Sequence, residues 1–226
     1  MSQEAKFKNK NVIFTGKKLT KNLFTGWYFS ENNSNFNKKF ISDFELQYSK
    51  GISIETDKKN KIIKIEKKFP NSRVLILNQS VEDWTFIFQD NTDQLDSYKK
   101  SIFKDIYGNT GCITFYNSQL KNLNFLISNS KCEDGINFIN SKGSINSINL
   151  ENSISDAVDF DFSLLEINKI NISNSSNDCV DFSFGKYKIN YLHLKNCGDK
   201  AISIGENSNV DIKNVDINFS NIGVAS

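Results

Sequence analysis

From Gly111 onward, hydrophobic and polar positions recur with a fixed period. The segments GCITF, DGINF, DAVDF, DCVDF, KAISI and GVAS align on Ile113, Ile136, Val158, Val180, Ile202 and Val224, at steps of 23, 22, 22, 22 and 22 residues. A second track runs Leu120, Leu123, Phe125; Ile145, Ile148, Leu150; Ile167, Ile170, Ile172; Ile189, Leu192, Leu194; and Ile212, Val215, Ile217. A third is asparagine. Asn152, Asn174, Asn196 and Asn218 each lie six residues before the next anchor, and Asn129 lies seven before. Three columns kept in register are the mark of a repeat architecture.

Each unit reads as short strands. Val158-Asp159-Phe160-Asp161-Phe162 and Val180-Asp181-Phe182-Ser183-Phe184 alternate with period two, using β-branched and aromatic residues. Ile170-Asn171-Ile172 does the same, and Gly, Ser, Asn and Asp fill the turns between. No segment of the repeat has the length or the 3.6 periodicity of a helix. The prediction is an all-β, right-handed, single-stranded parallel β-helix of about 22 residues per coil, its five steps extending roughly 24 Å at about 4.8 Å per coil. The leucine-rich repeat shares the L-x-x-L-x-L spacing, but its asparagine follows the last Leu by three. Here Asn152, Asn174 and Asn196 follow by two.

The first 110 residues carry no such period. Ile62–Ile65, Val74–Leu77 and Trp84–Phe88 read as strands, and 89–110 as a polar excursion with loop and one short helix. Residues 1–70 are expected to form a lead-in or cap, and 71–226 the β-helix, with regular coils from about 111. The chain ends in the strand-like Gly223-Val224-Ala225-Ser226 with no polar cap. Because solenoids need covered ends, truncation, further coils or a capping domain are expected there.

Composition narrows the function classes. The net charge is +2, which argues against nucleic acid as a partner. No apolar run approaches eighteen residues, so no membrane span is expected. No secretory signal is visible at the start, MSQEAKFKNKN. A single histidine, His193, excludes multi-histidine metal sites, and it is placed in an outward strand column with Asn149, Asn171 and Asp216. The charge is uneven: residues 1–110 hold 19 basic and 13 acidic side chains, and residues 111–226 hold 9 and 13. A cation or basic partner should favour the second half. The 32 asparagines beside a single arginine, Arg73, fit an AT-rich coding history.

In a stacked solenoid, equivalent positions form surfaces. Cys112, Gly135, Ala157, Cys179, Ala201 and Gly223 make a column of small residues, expected at a tight corner. The asparagine column is expected to line a turn, its side-chain amides bonded along the stack and to backbone, as buried amides must be. Cys112/Cys132 and Cys179/Cys197, spaced 20 and 18 residues, read either as two disulfides or as four buried thiols. The acidic columns bear on chemistry. Asp134, Asp156, Asp178 and Lys200 form one; Asn137, Asp159, Asp181 and Ser203 form another, with Asp161 on the same outward face. Carboxylates stacked about 5 Å apart need a raised pKa, a cation or a basic neighbour. One reading is a solvated acidic face with Lys200 as the neighbour; the other is a hard-cation site.

The segment Ile167-Asn168-Lys169-Ile170-Asn171-Ile172-Ser173-Asn174-Ser175, followed by Asn177-Asp178-Cys179-Val180-Asp181-Phe182, resembles the repeats of the pectate-lyase-like β-helix superfamily. The resemblance covers residues 111–226. It implies a polysaccharide partner, an extracellular or cell-surface location, and a Ca²⁺-dependent lyase with Asp156, Asp159, Asp178 and Asp181 as metal ligands. Lys200 would be the catalytic base, with Asp178 and Asp181 beside it in the catalytic group. A hydrolase like the polygalacturonases is the lesser alternative: Asn177-Asp178 echoes part of their pattern, but His193 stands in Tyr-Leu-His-Leu and not in Gly-His-Gly. The competing class is a noncatalytic adhesin or scaffold β-helix.

Overall fold

A computed structural model describes residues 36–92 and 109–226. Two antiparallel hairpins come first: β1 (Phe36–Phe40) with β2 (Glu45–Ser49), and β3 (Ile52–Asp57) with β4 (Ile62–Lys67). Then β2 pairs antiparallel with β5 (Val74–Leu77), and every later pairing is parallel. The short strands β5, β8 (Gly111–Tyr116), β10 (Asp134–Ile139), β12 (Asp156–Asp161) and β14 (Val180–Ser183) stack on one side. The other sides are built by β6 (Ser80–Glu82), β7 (Thr85–Asp90) and the long strands β9 (Gln119–Ser130), β11 (Lys142–Ser153), β13 (Leu164–Ser175), β15 (Gly185–Ile204) and β16 (Ser208–Ala225). The result is a parallel β-solenoid of about 6 turns with about 23 residues per turn. Among the described residues there is no helix, and so none long and apolar enough to cross a membrane.

The anchors are in the expected register: Ile113, Ile136, Val158, Val180 and Ile202 pair successively, all buried. Two residues on, Phe115, Phe138, Phe160 and Phe182 form an inward column of near-parallel rings with centroids 5.4, 5.2 and 5.2 Å apart. Each fully buried ring contributes about 1.5–3 kcal/mol through area removed from water. The small-residue column sits at a corner. A Cβ on Gly135 would stand 2.6 Å from both the Ala157 carbonyl oxygen and Leu150 Cδ1, so even alanine would force a shift there.

The asparagine ladder lines a turn and bonds coil to coil as expected, but at the surface and not in the interior. Asn152, Asn174 and Asn196 are exposed, not buried. Together with Asn129 they take left-handed backbone, φ between 57° and 62°, which asparagine tolerates better than most residues. Their side chains donate coil to coil at 3.0, 3.1 and 2.8 Å. Both cysteine pairs are disulfides, each with Cα atoms 5.5 Å apart. The strand at Trp84–Phe88 starts at Thr85 and extends to Asp90; most of the polar excursion, with its expected helix, lies outside the described residues.

A buried ion pair ties the hairpin strands to the coils. Lys67 Nζ donates to Asp90 Oδ2 at 2.6 Å, with both side chains fully buried. That carboxylate also accepts from the Lys131 and Thr92 backbone N–H groups at 3.0 Å each. Burial pulls the Lys67 ammonium down to about 8, against the opposing pull of Asp90.

Candidate functional site

Asp159 and Asp161 on β12 and Asp181 on β14 point outward, because alternate residues of each short strand point away from the phenylalanine column; Asp134, Asp156 and Asp178 stand two residues before the inward anchors, at or just before the start of their strands. In-register pairing places Asp134 beside Asp156, Asn137 beside Asp159, Asp159 beside Asp181, Asp161 beside Ser183, and Asp181 beside Ser203. Like charges in such positions are relieved here by two distinct means.

The first column is relieved by donors. Asp156 Oδ1 accepts from Asn177 Nδ2 at 2.6 Å and from the Asp178 N–H at 2.9 Å. One coil on, Asp178 Oδ1 accepts from the Lys200 N–H at 2.9 Å, and Lys200 Nζ lies 3.0 Å from Asp178 Oδ2. Lys200 Nζ also donates to Asp199 Oδ2 at 2.9 Å. These partners, Asp199 foremost and Asp178 next, hold the Lys200 ammonium well above its ordinary range. A base that abstracts protons must be neutral when it acts, and Lys200 is held in the opposite state.

The second set is relieved by raised pKa values. Asp159 and Asp161 stand two residues apart on the same face of β12, close enough to shift each other's titration. Asn137 Nδ2 donates to Asp159 Oδ2 at 3.0 Å and lies 3.4 Å from Asp134 Oδ2. Burial, then the charges of Asp161, Asp134 and Asp181, push the Asp159 carboxyl well above the usual carboxylate range. Burial raises Asp161 to about 6, against the hydrogen bond from Asp159. Asp134, 4% exposed, rises to about 8 and Asp156 to about 6, each first through burial. Asp181 is raised for the same reason, while a hydrogen bond from Ser203 opposes the shift.

Calcium needs several carboxylate oxygens converging on one point. Among the described residues, the one set of three His, Cys, Asp or Glu ligand atoms within 4.8 Å of each other is Asp90, Cys112 and Cys132, and both of those sulfurs are spent in a disulfide. As arranged, Asp156, Asp159, Asp178 and Asp181 do not fit the ion: Asp178 binds an ammonium with both oxygens, and Asp156 Oδ1 is already filled by donors.

The structure therefore brings Asp178 to Lys200 and Asp159 to Asp181, as the columns required. It adds the Asp159–Asp161 pair and the buried Asn137, whose Oδ1 is left without a hydrogen bond. The signal for that pair was the Asp-Phe-Asp alternation, which puts two acids on one strand face. His193 lies in the Asn149–Asn171–His193–Asp216 column, with Nδ1 2.9 Å from Asp216 Oδ2. A cleft of about 430 Å³ lies on the long strands, over Asn146, Asn168, Asn190 and the Glu166–Lys188 pair, and holds none of the column acids. Compared with protein-family models, curated proteins and solved structures, the chain finds no match in any of the three.

Proposed function

We propose that the Asp-rich outer face of the short-strand stack binds a polysaccharide and cleaves it by acid–base chemistry centred on Asp159 and Asp161. The observation that carries this reading is the placement of these two carboxyls on one outward face of β12, beside Asp181 on the next coil, with the Asn137 amide donating to Asp159 Oδ2 at 3.0 Å. Two carboxyls that close share a proton, and a retained proton is what departure of a glycosidic oxygen requires. In this mechanism the Asp159–Asp161 pair protonates the leaving oxygen as the C–O bond breaks. Asp181, on the next coil about 4.8 Å along the stack, offers the second carboxylate, as nucleophile or as base toward water.

The likeness to the pectate-lyase-like superfamily, with its right-handed β-helix, supports a polymer as substrate. The two disulfides support an extracellular or cell-surface setting. The paired state of Lys200 and the unfit carboxylate arrangement favour hydrolysis over calcium-dependent elimination. An acidic face repels sugar carboxylates, so an uncharged polymer suits it better than a polyuronate. The noncatalytic scaffold reading is favoured by one fact, that Asp134 and Asn137 are buried from any polymer.

The test is cleavage of xylan, glucomannan and polygalacturonate, read both as new reducing ends and as unsaturated product. Reducing ends without unsaturation, lost by about 10²-fold or more in Asp159→Asn and Asp161→Asn, are expected. Unsaturated product would restore the lyase. Neither product from any polymer would leave the scaffold.

A further inference from the structure

The bend within the long strands carries a second asparagine ladder, and backbone does not account for it. Asn146, Asn168 and Asn190 stand there on three successive coils. Each side chain donates to the one before: Asn146 to Asn124 at 2.8 Å, Asn168 to Asn146 and Asn190 to Asn168 at 3.3 Å. The corner ladder of Asn129, Asn152, Asn174 and Asn196 answers left-handed backbone, but none of these residues has a positive φ. Nor does stacking explain the choice. Asn146 and Asn168 are exposed and Asn190 is half-buried, and an amide–amide bond at the surface gains little over the bond to water that it replaces.

These amides line a concave surface. The cleft of about 430 Å³ is walled by Asn146, Asn168 and Asn190, so it follows the solenoid axis over two steps of about 4.8 Å. Its volume is that of a site for a small molecule or a short stretch of polymer. Its charges cancel: Glu166 and Asp211 stand with Lys188 and Lys213, and the Glu166–Lys188 pair is closed at 3.3 Å. An asparagine side chain has two N–H donors and two acceptor lone pairs. The ladder spends no more than one of each, which leaves every amide a donor and an acceptor, repeated at the coil spacing.

We propose that this cleft binds an uncharged carbohydrate lying along the solenoid axis, its hydroxyls meeting one amide per coil. A hydroxyl both donates and accepts, and so matches the free donor and acceptor of each asparagine. A lining whose charges cancel gives a uronate no advantage over a neutral sugar. Neither Asp159 nor Asp161 lines the cleft, nor do Asp156, Asp178 and Asp181. The site therefore anchors the polymer and takes no part in breaking it. It goes beyond the acid-face reading, sharing the class of polymer but none of the residues, and it stands even where that face is inert.

The experiment is affinity electrophoresis in gels containing xylan, glucomannan or polygalacturonate, in an Asp159→Asn background that keeps the polymer intact. Xylan or glucomannan is expected to retard the chain and polygalacturonate to leave it free. Asn146→Ala/Asn168→Ala/Asn190→Ala, with folding checked by urea unfolding, is expected to weaken retention about tenfold or more. Asn152→Gly/Asn174→Gly cuts the corner ladder, where glycine accepts the left-handed backbone, and is expected to change nothing. Unchanged affinity in a folded triple variant overturns the cleft, as does an equal loss in the corner variant. Retention by polygalacturonate as strong as by the neutral polymers, or by none of the three, overturns it too. The cleavage assay above is scored apart: cleavage without amide-dependent retention leaves the carboxyl reading standing alone, and retention without cleavage leaves the cleft.

Discussion

Lys200 and Asp178 form a two-point contact across adjacent coils: the Lys200 backbone N–H reaches Asp178 Oδ1 at 2.9 Å, and its ammonium reaches Oδ2 at 3.0 Å. The Asp178 side chain is only 5% exposed, that of Lys200 28%. The pair is therefore a fastening between coils, and its loss strands a buried carboxylate. Lys200→Met is expected to cost about 1–3 kcal/mol of stability while leaving any polymer cleavage intact. Urea unfolding beside a turnover assay separates the two effects. A stable, inactive Lys200→Met protein would reinstate the lysine as a base.

The acid face gives an unusual pH dependence. Carboxyls raised in the folded state bind more protons there than in the unfolded chain, so their stabilising contribution is full below about pH 4. It is lost as pH climbs through the folded values, about 6 for Asp156 and Asp161 and about 8 for Asp134. Stability should decline between about pH 5 and pH 8.5, followed by thermal unfolding in matched ionic strength. Asp134→Asn should flatten the upper part of that decline. A curve that rises across this window would mean the face is solvated and its acids ordinary.

Calcium titration by calorimetry is expected to give no saturable heat that differs between wild type and Asp159→Asn/Asp181→Asn. The reason is geometric, since the column carboxylates do not converge on one point. Saturable binding abolished by the double substitution would show that the face rearranges around the ion, and would return the lyase mechanism.

Each disulfide closes a short loop, of 20 residues for Cys112–Cys132 and 18 for Cys179–Cys197. In the loop-closure account, each contributes about 2–4 kcal/mol. Denaturant midpoints should fall on reduction, and Cys112→Ser/Cys132→Ser and Cys179→Ser/Cys197→Ser should each reproduce part of the fall. Identical midpoints with and without reductant would show that the thiols never pair.

How much of this was legible in the chain follows from what repeats. Ile136, Val158 and Val180 announced the coil because burial fixes residue type at every turn, and the Asp159–Asp181 and Asp178–Lys200 neighbours followed from the register alone. Of the two hairpins of residues 36–67 only the strand at Ile62–Ile65 is legible, since each hairpin is used once and has no second copy to reveal it. The Asn174 column marks the turn and its ladder correctly, but answers a left-handed backbone at the surface, which sequence spacing does not distinguish from burial. The Asp159–Asp161 contact was visible as an alternation, yet whether two acids on one face share a proton depends on desolvation. The alternation ends its strands at Phe162 and Phe184, where the backbone instead turns into the left-handed region.

The two disulfides also make the solenoid unevenly extensible. A pull on its ends would peel it coil by coil, each 22-residue step letting out roughly 75 Å of slack at full extension. Cys112–Cys132 and Cys179–Cys197 hold back 20 and 18 residues, so two of those steps would shrink to a fraction of the others. Single-molecule stretching would read the oxidised chain as a mixture of long and short steps, and the reduced chain as uniform. Equal steps in both states would refute it. The molecule would then behave under load as an elastic thread with two inextensible knots, one beside the hairpins and one beside the acid face.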